Sequence, residues 1–269
     1  MGWEYLGILL AVSLVLCAVG FIKFVYFLSI GYGFAVAGIG VALAAMSLLG
    51  RFGDVGIQAY VICALFVVYG ARLSGFLLAR ELKNASYRKT LTEASGGDKK
   101  MPVFVLVAIW LCVGVLYVAQ TSPLFFRLYN GMAAEPSVLA WVGIGVCVFA
   151  IILESEADRE KSVQKKANPD MVATKGLYRI VRCPNYLGEI LFWTGILVSS
   201  LDVLTGIGQW ITAVAAYVCI VFIMFNGAQR LEKRQMKRYG DDPAYNAYAD
   251  KTPIILPLIP IYHLNRKEK

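Results

Sequence analysis

Seven long apolar stretches constrain this chain more than anything else in it. They run over residues 4–27, 30–49, 56–79, 102–121, 136–153, 185–201 and 206–227. A helix needs about 20 mainly apolar residues to cross the hydrocarbon core of a bilayer. The fourth and sixth stretches are short for this, and the sixth is expected to tilt or to cross only partly. Hydrophobic residues make up 58% of the chain and charged residues 16%, against about a quarter charged in soluble domains. The expected fold is therefore all-α: a polytopic integral membrane protein with about seven transmembrane helices, in a single membrane domain over residues 1–269.

The net charge of +8 does not point to nucleic acid, because the basic residues lie between and after the apolar stretches. That is how topogenic charges are distributed. The 80–100 loop carries Arg80, Lys83, Arg88, Lys89, Lys99 and Lys100, and the 154–184 loop and the tail after Asn226 are similarly basic. The alternate loops near 51–55, 122–135 and 202–205 carry only Arg51 and Arg127. This asymmetry predicts an N-terminus outside and a C-terminus in the cytoplasm. The opening Met-Gly-Trp-Glu-Tyr lacks a basic lead-in and reads as the start of a retained helix rather than a cleaved signal.

The six cysteines are widely spaced, form no Cys-x-x-Cys pair, and lie mostly inside apolar runs, so no disulfide framework or metal site is read from them. Gly31, Gly33, Gly38 and Gly40 do not have the spacing of a dinucleotide loop, and no strand precedes them. Their expected use is close packing between membrane helices.

Polar residues inside or beside the apolar stretches are the candidates for chemistry. Tyr69 and Arg72 are three apart and share a helical face. Arg72 either snorkels to the surface or faces a partner, since an unmatched arginine in a span is costly. Gln120 either contacts a substrate or caps its helix before Ser122-Pro123. Glu154 and Asp158, four apart, either point to water or meet donors, with Lys161 and Lys165 on nearby faces.

The chain is organised around the stretch Glu154–Ser200, where it gathers charge between apolar segments. Within it Gly176-Leu177-Tyr178-Arg179 leads into Arg182-Cys183-Pro184-Asn185-Tyr186 and Gly188-Glu189. Pro184 suits the first turn of a helix, whose open N–H groups would join Arg179 and Arg182 as an anion site. Asn185 and Glu189, one turn apart, would project from one face.

This block resembles the pattern Gly-Leu-(Trp/Tyr)-x-x-x-Arg-His-Pro-Asn-Tyr-x-Gly-Glu of the steroid 5-alpha-reductase C-terminal family, most closely its bacterial membrane branch of unassigned substrate. The likeness extends from about Tyr69 to the C-terminus. It implies a reductase-like cofactor and substrate core over 56–269, preceded by variable N-terminal helices over 1–55, in a bacterial inner membrane. Cys183 stands where the family has histidine; the chain's one histidine is His263. The shorter core, Arg-His-Pro-x-Tyr-x-Gly, also resembles the isoprenylcysteine carboxyl methyltransferases.

The resemblance implies a membrane-embedded, NADPH-dependent reductase of an activated (enone-type) C=C bond in a steroid-like or lipid substrate. Tyr69 would donate to the substrate carbonyl, aided by Arg72, and Gln120 would touch the substrate. Glu154, Asp158, Lys165, Arg179, Arg182, Asn185, Tyr186 and Glu189 would line the cofactor, with Arg230 and Arg234 near its phosphates. The eukaryotic enzymes add a glutamate near the second helix; residues 30–49 hold no acid, and Asp54 is the only one nearby. The alternatives are an S-adenosylmethionine-dependent methyltransferase, which would not need Tyr69 or a cation cluster, and a non-catalytic lipid-binding protein. The expected partners are the bilayer and an apolar small molecule.

Overall fold

The computed structural model describes residues 2–83, 88 and 101–265, and within them regular structure is helical with no strand. The helices are α1 (Trp3–Cys17), α2 (Ile30–Leu48), α3 (Ile57–Lys83), α4 (Val103–Tyr129), α5 (Val138–Ala167), α6 (Pro184–Val198), α7 (Ile207–Tyr239) and α8 (Pro243–Ala249). Six described segments are long and apolar enough to cross a membrane: Glu4–Phe21 and the helices α2, α3, α4, α5 and α7. Large apolar side chains such as Val15, Leu48, Val103, Phe104, Val138 and Ile207 point outward, each more than 70% exposed. Lipid, not water, is the neighbour that suits them. The protein is a polytopic membrane protein. Lys89, Lys99 and Lys100 lie outside the described residues.

The sixth apolar stretch becomes α6, 15 residues long, or about 22 Å at 1.5 Å per residue. That is short of the roughly 30 Å hydrocarbon core. The first stretch divides: α1 stops at Cys17, and residues 18–28 wind through two short 3₁₀ turns. In α5 and α7 the helix outlasts its apolar part, carrying the charged stretches after Glu154 and after Asn226 as continuous helix. The chain forms two compact units, residues 1–144 with 196–216 and residues 145–195 with 217–269.

In the first unit, glycine sets the approach of α2 to α3. A methyl group on Gly70 would run into the carbonyl of Gly33, and one on Gly33 into Ser74 Oγ. One on Gly40 would sit 2.8 Å from the carbonyl of Cys63. The glycines therefore pack helices, as expected. Ser74 Oγ donates to the carbonyl of Ile30 at 2.7 Å, a cross-helix bond that this approach allows. Trp110 Nε1 on α4 donates to the carbonyl of Leu14 on α1 at 2.7 Å.

At the end of α4, Arg127 is 1% exposed. It donates to the carbonyl of Ser199 at 2.6 Å and to Asp202 Oδ1 at 2.6 Å. Ser137 Oγ donates to the other oxygen of Asp202 at 2.5 Å, and Gln58 brackets the Ser137 backbone at 2.9 and 3.1 Å. The charge of Arg127 is spent inside the protein. Of the two basic residues in the alternate loops, Arg51 alone is exposed.

The glycine contact predicts a sharp contrast between two positions on one helix. Gly70→Val forces backbone apart and should cost about 1–3 kcal/mol or more, read as a lower thermal midpoint in detergent. Gly75→Val, with nothing within 4 Å of the added carbon, should leave the midpoint close to the parent. Equal midpoints for the two variants would contradict the packing.

Candidate functional site

In the second unit the block Gly176–Glu189 becomes a turn and a helix start. Gly176 sits at φ +65°, the left-handed region that favours glycine, with the Glu160 carboxylate against its Cα. Glu160 Oε2 accepts from the Leu177 backbone N–H at 2.8 Å. This holds the 3₁₀ turn Gly176–Arg179 on α5. Tyr178 then turns inward, 4% exposed, and Tyr248 Oη donates to its carbonyl at 2.7 Å.

Arg182 and Cys183 run alongside the C-terminal segment, their backbone N–H groups donating to the carbonyls of Pro253 and Ile254 at 2.8 and 2.9 Å. Pro184 opens α6, where its missing N–H costs nothing. The Cys183 carbonyl accepts from the backbone N–H groups of Tyr186 and Leu187, both at 3.1 Å. Burial pushes the Cys183 thiol up to about 12, so it stays neutral. Its visible work here is backbone hydrogen bonding rather than thiolate chemistry.

Glu154 and Asp158 do share a face, and it is the face toward α6. Glu154 is 2% exposed, its stem against the backbone of Gly188. Asp158 Oδ1 accepts from Asn185 Nδ2 at 2.5 Å. Tyr178 Oη lies 3.1 Å from Asn185 Oδ1 and 3.3 Å from the carbonyl of Ala157. Burial, with the negative charge of Asp158 next, raises the Tyr178 phenol above its ordinary range and keeps it a donor. Glu189, one turn beyond Asn185, is 6% exposed and accepts from Trp193 Nε1 at 3.1 Å. Asp158, Asn185 and Tyr178 thus form one polar chain on the helix pair that also buries the carboxylates Glu154 and Glu189.

The basic candidates divide into committed and exposed. Lys165 Nζ donates to the Tyr239 hydroxyl at 2.9 Å and the carbonyl of Pro169 at 3.0 Å, over the Tyr239 ring. Arg182, 4% exposed, donates through Nη2 to Glu232 Oε1 at 2.7 Å and to the Tyr262 carbonyl. Its Nε and Nη1 are buried, with the Tyr245 hydroxyl beside the guanidinium. Arg179, Arg230 and Arg234 are exposed on this unit, and the ring of Tyr186 packs against Gly227 on α7.

In the first unit Tyr69 is fully buried. Its hydroxyl donates to that of Tyr32 at 3.3 Å, and the Tyr32 ring stacks obliquely on Tyr117 at 4.8 Å between centroids. Gln120 follows one turn after Tyr117 and is 3% exposed. Arg72 is half-buried, with its guanidinium over the Phe76 ring, 5.9 Å from its centroid. Tyr69, Tyr32 and Tyr117 are brought together, and Arg72 turns along its own helix toward Phe76.

Sequence reasoning missed Glu232, the centre of the second unit. Completely buried, it accepts from Arg182, from the backbone N–H groups of Leu264 and Asn265 at 2.9 and 3.0 Å, and from Asn265 Nδ2 at 2.8 Å. His263 bridges it to Asp250, its ring nitrogens 3.1 and 2.8 Å from the two carboxylates. The one signal available was a lone acid among the basic residues 230–238. Tyr32 and Tyr117 carried no signal beyond being aromatic.

Among the described residues, six apolar segments and a half-buried polar chain at α5 and α6 define a polytopic membrane protein with a polar site. The chain belongs to the DUF1295 family, described as proteins of unknown function, which it matches over residues 33–252. No curated protein and no solved structure matches it.

Removing the charge of Glu232 leaves the Arg182 guanidinium buried without its carboxylate, a change worth about 3–5 kcal/mol. Glu232→Gln should lower the thermal midpoint and make the chain after Asp250 cleavable in limited proteolysis. A variant as protected as the parent would show that the pair does not hold this segment.

Proposed function

We propose that this protein is a membrane-embedded reductase that uses NADPH to saturate an activated C=C bond in an apolar, steroid-like or lipid substrate. The observation that carries the reading is the Asp158–Asn185–Tyr178 chain on helices that also bury Glu154 and Glu189. The resemblance of 176–189 to the steroid 5-alpha-reductase block supports it.

The residues fit the cofactor chemically. Asp158 holds the Asn185 amide in one orientation, so that amide and Glu189 would read the carboxamide and ribose hydroxyls. Arg182 places a guanidinium beside the Tyr245 hydroxyl, a cation suited to a phosphate oxygen. Arg179, Arg230 and Arg234 supply further positive charge on the same unit. Lys165, committed to Tyr239, would help through the field rather than by contact. Bound NADPH supplies the hydride.

The chain's own part in the chemistry is to meet the charge that develops on the substrate's carbonyl oxygen. Tyr69 is the donor for that oxygen. Its 3.3 Å bond to Tyr32 is long for two hydroxyls. Arg72, three residues further along α3, adds positive charge to the same helix.

The expected orientation, N-terminus outside and C-terminus cytoplasmic, follows the loop charges, and burial of Arg127 sharpens the contrast. It puts the second unit's cations on the side where NADPH is found. Reporters should score cytoplasmic after Lys269 and external near Asn130; the reverse would contradict it.

A second reading is a methyltransferase using S-adenosylmethionine. The commitment of Lys165 and of Arg182 Nη2 inside the protein favours it, because that cofactor has no phosphate to bind.

Two variants separate cofactor from substrate. Asn185→Ala should weaken NADPH binding by about 1–3 kcal/mol, the scale for a buried partner left unmatched. Tyr69→Phe should bind NADPH like the parent yet reduce an enone about 10²–10³ times more slowly, as when one oxyanion donor is lost. Parental turnover in Tyr69→Phe would make it a packing residue.

A further inference from the structure

One turn of α4 carries more unanswered polar groups than a membrane helix can keep cheaply. Gln120 is 3% exposed, and neither its Oε1 nor its Nε2 has a hydrogen-bond partner. Ser122, 2% exposed, has an unpartnered Oγ. Pro123 lies inside the helix and has no N–H to offer the carbonyl of Ala119, four residues back. Thr121 differs: its hydroxyl bonds back to the carbonyls of Tyr117 and Val118 at 2.9 and 3.1 Å. A buried amide left unmatched costs about 1–3 kcal/mol, and the cost is higher where no water reaches it. Broken helix backbone at such positions is tolerated when it lines a cavity.

The chemistry of these groups restricts what could answer them. Gln120 offers two N–H donors and a carbonyl acceptor, Ser122 can donate and accept, and the Ala119 carbonyl accepts only. A ketone or ester oxygen could meet the donors and would leave the acceptors bare. A hydroxyl gives a hydrogen and takes one, so a single ligand hydroxyl can answer both sides of the amide. Tyr117, one turn earlier, stacks on Tyr32, which holds Tyr69. The amide therefore lies one turn along α4 from the tyrosine cluster.

We propose that Gln120, with Ser122 and the helix break at Pro123, binds a hydroxyl group on an apolar ligand. This rests on the reductase reading only in naming that ligand as the substrate. The substrate then carries two polar groups, a carbonyl answered by Tyr69 and a hydroxyl answered by Gln120.

Three probes on one skeleton test it: androst-4-en-3-one with a hydroxyl, a ketone or only hydrogen at carbon 17. Each is titrated into the purified full chain in mild detergent and followed by thermophoresis. The alcohol should bind about tenfold more tightly than the ketone, the scale of one unmatched buried group. Gln120→Met keeps the length and removes the amide. It should abolish the preference, leave the affinity for the 17-unsubstituted probe unchanged, and hold or raise the thermal midpoint. Ser122→Ala should shrink the preference, which keeps the test decisive if the first variant folds poorly. Equal binding of the probes by the parent, no binding of any, or a preference that survives in both variants would overturn the proposal. NADPH titrated in parallel separates the outcomes. Intact NADPH binding with no preference for the alcohol removes this inference alone, whereas loss of NADPH binding with the preference intact removes the reductase reading alone.

Discussion

A guanidinium taken out of water is stable only when a carboxylate meets it, and each unit of this protein is built around one such pair. In the first, Arg127 and Asp202 join the end of α4 to the segment after α6, and Ser137 and Gln58 satisfy what remains. In the second, Arg182 and Glu232 join the entry of α6 to α7 and gather the C-terminal residues onto them. Burying such a pair gains little by itself, but losing one partner is expensive. The pairs therefore act as registers, making one arrangement of the chain much cheaper than its neighbours.

The same reasoning sorts the remaining polar residues. Where a half-buried polar group has its partner within the chain, as Asp158 has Asn185, the pair is held in position. Where a buried one has none, as with the Gln120 amide, packing alone does not account for it. The first kind holds its neighbours in position; the second is what the proposed ligand hydroxyl would answer.

Much of the fold was legible because the bilayer imposes a length and a composition on every crossing segment. The glycines of α2 were readable for the same reason, since small residues are how such helices approach. The common face of Glu154 and Asp158 followed from their spacing of four, and the structure resolves it toward α6 rather than toward water. Illegible were the long-range pairs. Arg182 meets Glu232 fifty residues away and Lys165 meets Tyr239 seventy-four away, and no periodicity announces either. Read locally, both cations looked available to a phosphate. The end of α1 at Cys17 was equally hidden, because residues 18–28 stay apolar while the backbone tightens into turns. The charged extensions of α5 and α7 were hidden too, since hydropathy marks where the apolar part ends and not where the helix does.

The central claim is that the polar chain at α5 and α6 belongs to a nicotinamide nucleotide site. The direct measurement is calorimetric titration of the detergent-purified protein with NADPH, NADH and S-adenosylmethionine in separate runs. The account predicts saturable binding of NADPH at one site per chain, weaker binding of NADH for want of the 2′-phosphate, and no heat from S-adenosylmethionine. Saturable binding of S-adenosylmethionine with none of NADPH would contradict it.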